Sequence, residues 1–206
     1  MIPDLVSRIG ALPGRRVVVG VAGCPGAGKT TLVAALRDAV AAEHGADAVA
    51  HVPMDGFHLA DVELARLGRA GRKGAPDTFD VGGYVALLRR IRARDEDVVL
   101  APMFERDLEQ AVAGAIPVPR AARVVLTEGN YLLLDEPGWR EVRAELDEVW
   151  FCAVDDDLRR ARLTARHVRF GRTPAEAAAW VAAVDDPNAV LVEATRGRAD
   201  LVVRVG

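Results

Sequence analysis

The chain has 206 residues, a formal net charge of −3 and a hydrophobic fraction of 50%. This composition allows one domain with a buried core, and the slightly acidic balance provides no basic surface for nucleic acid. No apolar run reaches the ~20 residues that cross a bilayer, no signal-peptide pattern is present, and two cysteines make no disulfide framework. We therefore expect a cytoplasmic protein with a single domain, residues 1–206, that binds neither nucleic acid nor a membrane.

Helical patterns and apolar strand patterns alternate along the chain. We predict helices at 4–12, 29–43, 81–93, 139–146, 157–170 and 174–184, and strands at 17–22, 49–54, 98–104, 124–128, 148–154 and 201–205. The segment 55–80, rich in glycine and charge, predicts a short helix and a long loop, and 105–119 predicts irregular chain with a short hairpin. The alternation indicates an α/β fold, a three-layer αβα sandwich with a central parallel sheet.

Polar candidates follow several of the predicted strands. In sheets of this type, binding sites lie beyond the carboxyl ends of the strands. Those ends are Gly23, Asp55, Phe104 and Glu128. We therefore expect these four residues to converge on one edge of the sheet.

A phosphate loop occupies the first of these ends. The sequence GCPGAGKT, residues 23–30, matches G-x-x-x-x-G-K-[ST] between a predicted strand and a predicted helix. Glycines let backbone N–H groups surround phosphate oxygens, Lys29 places its charge on the β- and γ-phosphates, and the Thr30 hydroxyl faces Mg²⁺. The pattern predicts a P-loop fold that takes ATP and Mg²⁺ as cofactors. Its nucleotide-binding residues are Gly23, Pro25, Gly26, Ala27, Gly28, Lys29, Thr30 and Thr31.

Other classes of phosphate-loop protein fit the sequence less well. GTPases read guanine with Asn-Lys-x-Asp, but the only other lysine, Lys73, lies in RKGA. Motor ATPases end an apolar strand with Asp-Glu, whereas VVLTEG carries one acid, Glu128. These observations favour a small-molecule kinase, with ATP rather than GTP as its nucleotide.

Four further segments resemble one group of such kinases. HVPMDGFHL, RKGAPDTFD, VVLTEGNYLLL and the arginine-rich RRARLTARHVRFGRT are similar to sequences of the uridine kinase, phosphoribulokinase and bacterial pantothenate kinase group. The resemblance runs from Val17 to Val205, and the compact length is most like small bacterial members described as nucleoside/nucleotide kinase-like or as fructose kinases. Asp55-Gly56 stands where uridine kinases carry Asp-Ser, which argues against uridine as the acceptor.

The resemblance implies specific roles at the reacting centre. Asp55 accepts the proton of the acceptor hydroxyl and, with Thr30 and Glu128, holds the metal. Lys29, Arg162 and Arg166 act on the phosphates, since residues 157–175 correspond to a small helical lid that closes over them. Arg159, Arg162, Arg166 and Arg169 recur at spacings that place them on one helix face.

The resemblance also implies an acceptor pocket within 55–80 and near the third strand. Its residues are Asp55, His58, Asp80, Tyr84, Phe104, Arg106 and Glu128. Asp80 also fits the N-cap of the helix at 81–93, and Lys73 and Arg72 are within reach of an anionic acceptor. Near the chain's end, DPNA places Asn188 beside the nucleobase, together with Arg196.

We therefore predict transfer of the γ-phosphoryl group of Mg·ATP to a hydroxyl of a nucleoside, a sugar such as fructose, or a pantothenate-like acceptor. One alternative is a nucleotide monophosphate kinase, for which Arg69, Arg72 and Lys73 supply basic residues. The other is a nucleotide-binding regulatory module without transfer activity. The sequence does not fix the oligomeric state, although the resemblance allows a homodimer.

Overall fold

The computed structural model describes all residues from Met1 to Gly206. Its strands are β1 Val17–Ala22, β2 Val49–Pro53, β3 Val98–Glu105, β4 Gln110–Pro119, β5 Val124–Gly129, β6 Glu148–Ala153 and β7 Leu201–Arg204. Its α-helices are α1 Ile2–Ala11, α2 Lys29–His44, α3 Asp61–Arg66, α4 Val81–Ala93, α5 Trp139–Ala144, α6 Asp156–Arg169, α7 Pro174–Trp180 and α8 Asp186–Glu193. None of these helices combines the length and the apolar composition that a membrane crossing requires.

Five strands form the central sheet in the order β2-β5-β1-β6-β7, and every pair is parallel. All six residues of β1 and all six of β5 are buried, as expected for apolar runs covered on both faces. In the register, Ala22 lies opposite Gly129 and Pro53 lies opposite Glu128, so the strands end together. The phosphate loop, Asp55 and Glu128 consequently meet at one edge of the sheet.

Separate apolar cores fill the two sides of the sheet. Val17, Val19 and Val21 of β1 belong to one core, together with buried side chains of α1 and α2. Val18 and Ala22 belong to the other, which packs against buried side chains of α4, α5 and α8. The alternation of side chains along β1 thus fills both cores, and the predicted three-layer αβα sandwich is confirmed.

The third predicted strand does not join this sheet. β3 pairs antiparallel with β4 in a separate hairpin, in which Val98 lies opposite Pro119 and Glu105 lies opposite Gln110. Burial alternates along β3, with Val99 inside and Leu100 outside, which is the pattern of a half-covered hairpin. The expectation that Phe104 ends a strand of the main sheet was therefore wrong. Residues 110–119 also form one long strand, where irregular chain with a short hairpin was predicted.

Two predicted segments contain more helix than expected. The segment 55–80 contains α3 and three short 3₁₀ turns, and Asp80 caps α4 as predicted. After α7, residues Val181–Asp185 form one π-helical turn that leads into α8. The stretch DPNA consequently opens a helix. π-helical turns often occur at functional sites, because they redirect a side chain without ending the helix.

Candidate active site

The phosphate loop joins β1 to α2 as a compact turn. Gly28, directly before α2, has a φ of +92°, in the left-handed region that favours glycine. Gly26 has a φ of +80°, and a Cβ there would lie 2.9 Å from the carbonyl oxygen of Arg159 and 2.8 Å from Leu163. The loop therefore packs directly against α6, with no room for a side chain at Gly26.

Lys29 is the buried first residue of α2, and its ammonium group turns back over the loop. The Nζ atom donates to the carbonyl oxygens of Gly23 at 3.0 Å and Cys24 at 3.2 Å. It also donates to Oδ1 of Asn130 at 2.7 Å. The charge is thus held where the loop opens into a cavity. Asn130 was not among the predicted site residues, although its position two residues after Glu128 was a usable signal.

Oxygen donors collect beside the loop. The Thr30 hydroxyl donates to Glu128 Oε1 at 2.9 Å, and Asp55 lines the same cavity. Burial raises the pKa of Glu128, with Asp55 acting in the same direction and Lys29 opposing them. One hydroxyl and two carboxylates fit Mg²⁺, which takes a few hard oxygen ligands from protein and the rest from phosphate and water. No group of three or more His, Cys, Asp or Glu side chains forms a cage that would hold a metal alone.

A cavity of about 480 Å³ opens over these groups, and it gathers most of the predicted site. From the loop it is lined by Pro25, Gly26, Lys29 and Thr30. The predicted acceptor and metal residues that line it are Asp55, His58, Phe104, Arg106 and Glu128. Arg166 of α6 and Asn188 of α8 also line the cavity.

Two predicted acceptor residues lie elsewhere. Asp80 is exposed, and its carboxylate accepts from the backbone N–H of Gly83 at 2.8 Å as the N-cap of α4. Tyr84 is fully buried in the core, where its hydroxyl contacts the Thr127 hydroxyl and burial raises its pKa. Both side chains serve the packing of α4, so we remove Asp80 and Tyr84 from the acceptor site.

Other predicted residues do not line the cavity. Ala27 is buried beneath the loop and Thr31 is exposed on α2. Arg162 is exposed, with Nη1 3.6 Å from the place where a Cβ on Gly28 would lie. Arg162 therefore stands beside the phosphate loop, whereas Arg166 reaches the cavity from the next turn of α6.

The acceptor side of the cavity has an aromatic wall. Phe79, His58 and Phe104 stand in a row, with ring centroids 4.2 Å and 4.6 Å apart. His58 Nδ1 lies 2.7 Å from the carbonyl oxygen of Asp55, and burial lowers the pKa of His58. With Nδ1 donating to that carbonyl, the Nε2 of the neutral ring is available as an acceptor.

The lid side contributes further residues to the cavity, of which His167 and Arg172 lie in the arginine-rich segment that predicted the lid. His167 Nε2 lies 2.8 Å from Asp185 Oδ2, and both side chains line the cavity. Trp180 lines it as well, with the Arg172 guanidinium 4.0 Å from the ring centroid. Asp185 ends the π-helical turn, so its direction depends on a local geometry that helical spacing does not predict.

A second cavity of about 530 Å³ lies on the other side of the loop, where Cys24, Ala189 and Glu193 face one another. Burial raises the pKa of Cys24 to about 11, so the thiol stays protonated at neutral pH. Arg159 also lines this cavity. Its Nε binds Asp156 at 3.0 Å and its Nη2 binds Asp186 at 2.6 Å, while its buried Nη1 has no partner.

No family model matches the chain. "Putative uridine kinase C227.14" of Schizosaccharomyces pombe is 33% identical over 196 residues, which cover 92% of this chain and 83% of that protein. "ATP-dependent kinase-like protein notR'" of Aspergillus versicolor is 38% identical over 133 residues, 61% of this chain and 77% of that protein.

A solved structure agrees with these relatives. The crystal structure described as a "putative fructose transport system kinase" from Silicibacter sp. TM1040 has a TM-score of 0.88 at 35% identity, over 98% of both chains. Similarity at this level extends across the sheet, the hairpin and the helices around the cavity. This chain therefore belongs to the P-loop small-molecule kinases of the uridine kinase-like group, as its motifs indicated.

Proposed function

We propose that this kinase transfers the γ-phosphoryl group of ATP to a hydroxyl of a small metabolite, with Asp55 as the general base. The observation that carries the proposal is that one cavity contains the phosphate loop and the carboxylate of Asp55, which follows β2 at the same edge of the sheet. A phosphoryl group at Lys29 and a hydroxyl at Asp55 then face each other across the cavity. Catalysis would rest on positioning and charge, as expected for phosphoryl transfer.

In the transfer step, one bond to the γ-phosphorus forms and another breaks. The acceptor oxygen forms a bond to the γ-phosphorus and gives its proton to the Asp55 carboxylate, while the bond to the β–γ bridging oxygen breaks and ADP leaves. Lys29 and the loop N–H groups hold the phosphates. Thr30, Glu128 and Asp55 would hold Mg²⁺, which when bound neutralises phosphate charge.

We assign the lid role to residues 157–175, and to Arg166 in particular. Arg166 takes part in none of the ion pairs of the structure, although it lines the cavity. Burial lowers the pKa of its guanidinium, and the nearby Arg106 lowers it further. A guanidinium with no anionic partner in a cavity of this kind suits the charge on a transferred phosphoryl group.

The second cavity is the place we propose for the nucleobase, since it adjoins the loop on the side away from Asp55. Ala189 and Glu193 of α8 border it, whereas the preceding residue, Asn188, lines the first cavity. Recognition there would come from backbone groups and packing.

The free thiols of Cys24 and Cys152 fit a reducing cytoplasm.

Two of the three basic residues on which the monophosphate-kinase alternative depends are paired outside the cavity. Arg69 and Arg72 both bind Asp77, and neither lines the cavity. Only Lys73 remains of that set, so a dedicated site for a nucleotide phosphate is not supported within 55–80.

The test is ADP release that depends on an added acceptor, measured with wild type, Asp55→Asn and Asp107→Asn. Asp107 is exposed on the hairpin turn, so its variant controls for a lost surface charge. We expect Asp55→Asn to lose at least 100-fold in kcat, whereas Mg·ATP binding, which also depends on Lys29, Thr30 and Glu128, should change far less. Turnover that survives in Asp55→Asn would remove Asp55 as the base, and ATP binding without release for any acceptor would favour the regulatory module.

A further inference from the structure

Two cations line the part of the cavity wall that is built by the segment after Asp55 and by the β3–β4 hairpin. Lys73 belongs to the segment after Asp55, and Arg106 follows β3. Lys29 and Arg166 already serve the transferred phosphoryl group under the proposed function. Lys73 and Arg106 have no task in that assignment, although they stand beside the base.

The guanidinium of Arg106 is largely free to bind a ligand. Its one carboxylate contact is Nη2 to Asp55 Oδ2 at 3.5 Å, the limit of a hydrogen bond, and its side chain is 43% exposed. A guanidinium has five N–H donors in a planar fork, which matches a carboxylate or phosphate in two parallel hydrogen bonds. Most of that capacity is unused here.

Lys73 is held in place and contributes charge to the same wall. Its ammonium binds Asp61 Oδ1 at 2.7 Å and also contacts the carbonyl oxygen of Glu109 at the tip of the hairpin. Its side chain is only 18% exposed, whereas that of Asp61 is 62% exposed. The exposed Asp61 therefore offsets only part of the charge of Lys73, and the remainder acts on the cavity.

The ring of Phe104 shows which acceptors fit this wall. Lys73 Nζ lies 5.6 Å and the Arg106 guanidinium 5.7 Å from its centroid, and His58 contacts it as well. Cation–π and aromatic contacts thus already surround the ring. A nucleobase would have to displace one of these groups to stack there, whereas a small anion would add to them.

We infer that the acceptor carries an anionic group, a carboxylate or a phosphate, which Arg106 binds with two hydrogen bonds beside the charge of Lys73 while the acceptor hydroxyl faces Asp55. This inference rests on the proposed function and names the class of its substrate. It specifies the ligand group of Arg106, which was expected in the acceptor pocket, and adds a positioning role for Lys73, which holds the hairpin tip. Arg72, although adjacent in sequence, is paired with Asp77 outside the cavity.

The experiment compares acceptors in matched anionic and neutral pairs by ADP release. Glycerate with glycerol and pantothenate with pantothenol test a carboxylate, and fructose 6-phosphate with fructose and uridine monophosphate with uridine test a phosphate. We expect the anionic member of at least one pair to exceed its neutral partner by tenfold or more in kcat/KM. The KM of that anionic acceptor should rise with added KCl, because exposed charges are screened.

Variants then locate the binding group. Arg106→Gln should raise the KM for the anionic acceptor by about 10-fold or more, as expected for a lost charge-assisted pair, and leave the KM for ATP unchanged. Lys73→Gln should raise the KM for the anionic acceptor by a smaller factor, and Arg72→Gln should leave that KM unchanged.

Two results would overturn the inference. One is ADP release in which no pair favours its anionic member over its neutral member. The other is an Arg106→Gln variant that changes the KM of both members equally, since Arg106 would then only orient Asp55. The absence of ADP release with every pair, despite intact binding of Mg·ATP, would contradict the proposed function itself and is distinct from both.

Discussion

The ammonium nitrogen of Lys29 lies 2.7 Å from Oδ1 of Asn130, which follows the strand that carries Glu128. The other two contacts of this nitrogen are carbonyl oxygens of the loop itself. Three acceptors use all three ammonium hydrogens, so the position of the charge is fixed before a phosphate arrives. Strand β5 therefore sets the geometry of both the metal ligands and the phosphate-binding lysine.

Asn130→Leu should weaken the binding of Mg·ATP by about 10-fold, because Lys29 loses one charge-assisted hydrogen bond and becomes mobile. Lys29→Met, which removes the charge, should weaken it by at least 100-fold. Isothermal titration with Mg·ATP measures both without an acceptor. Lys73→Met, which removes the only other lysine, is the control and should bind ATP like wild type. Tight binding in Asn130→Leu would show that the loop carbonyls alone position Lys29.

Arg166 and Arg169 are three positions apart on α6, but of the two only Arg166 lines the cavity. The guanidinium of Arg169 lies 6.0 Å from the centroid of the Phe170 ring. We expect Arg166→Gln to lower kcat by about 100-fold with little change in the Kd for ATP, because its charge acts mainly on the transferred group. Arg169→Gln should change kcat by less than about twofold. Similar losses in both variants would indicate a general effect of positive charge on the lid.

The sequence predicts the part of the site that follows continuous local patterns. The apolar runs of β1 and β5, the loop between β1 and α2, and the acids at strand ends all place groups at one sheet edge. The same reasoning fails for β3, because Val98–Glu105 alternates between buried and exposed residues and pairs within a hairpin.

Contacts between distant segments determine the parts of the site that the sequence does not predict. The hydrogen bond of His167 to Asp185 depends on the π-helical turn, and the contact of Lys73 with the hairpin joins residues far apart in the chain. Gly56 is another case, because a Cβ there would lie 2.3 Å from the carbonyl oxygen of Pro102. The Asp-Gly that departs from uridine kinases is thus explained by close packing of β3 on the chain after β2.

Gly26→Ala should destabilise the protein by about 2–4 kcal/mol, because it combines a left-handed backbone with a clash against the Arg159 carbonyl oxygen. Gly68→Ala is the matched control. Its φ is +67°, but nothing lies within 4 Å of the added Cβ, so only about 1 kcal/mol of strain is expected. Urea unfolding of both variants gives the comparison. Equal losses of unfolding free energy would mean that the loop and α6 move apart to accommodate the added methyl group at little energetic cost.

His51 on β2 gives a prediction about pH. Its Nε2 is buried without a hydrogen-bond partner, and burial lowers the pKa of the imidazole to about 4. In the unfolded chain the pKa returns to 6.5, so between these values the unfolded state binds more protons than the folded one. Stability is therefore complete above pH 6.5 and decreases as the pH falls toward 4.

His51→Leu should remove this dependence while keeping an apolar side chain in the same place. Between pH 7 and pH 5 the wild type should lose about 1–2 kcal/mol more unfolding free energy than the variant, since one pKa unit corresponds to about 1.4 kcal/mol. Urea unfolding at both pH values measures the difference, and titration of other groups cancels because both proteins share them. Parallel losses in the two proteins would mean that β2 opens to hydrate the protonated ring at little cost.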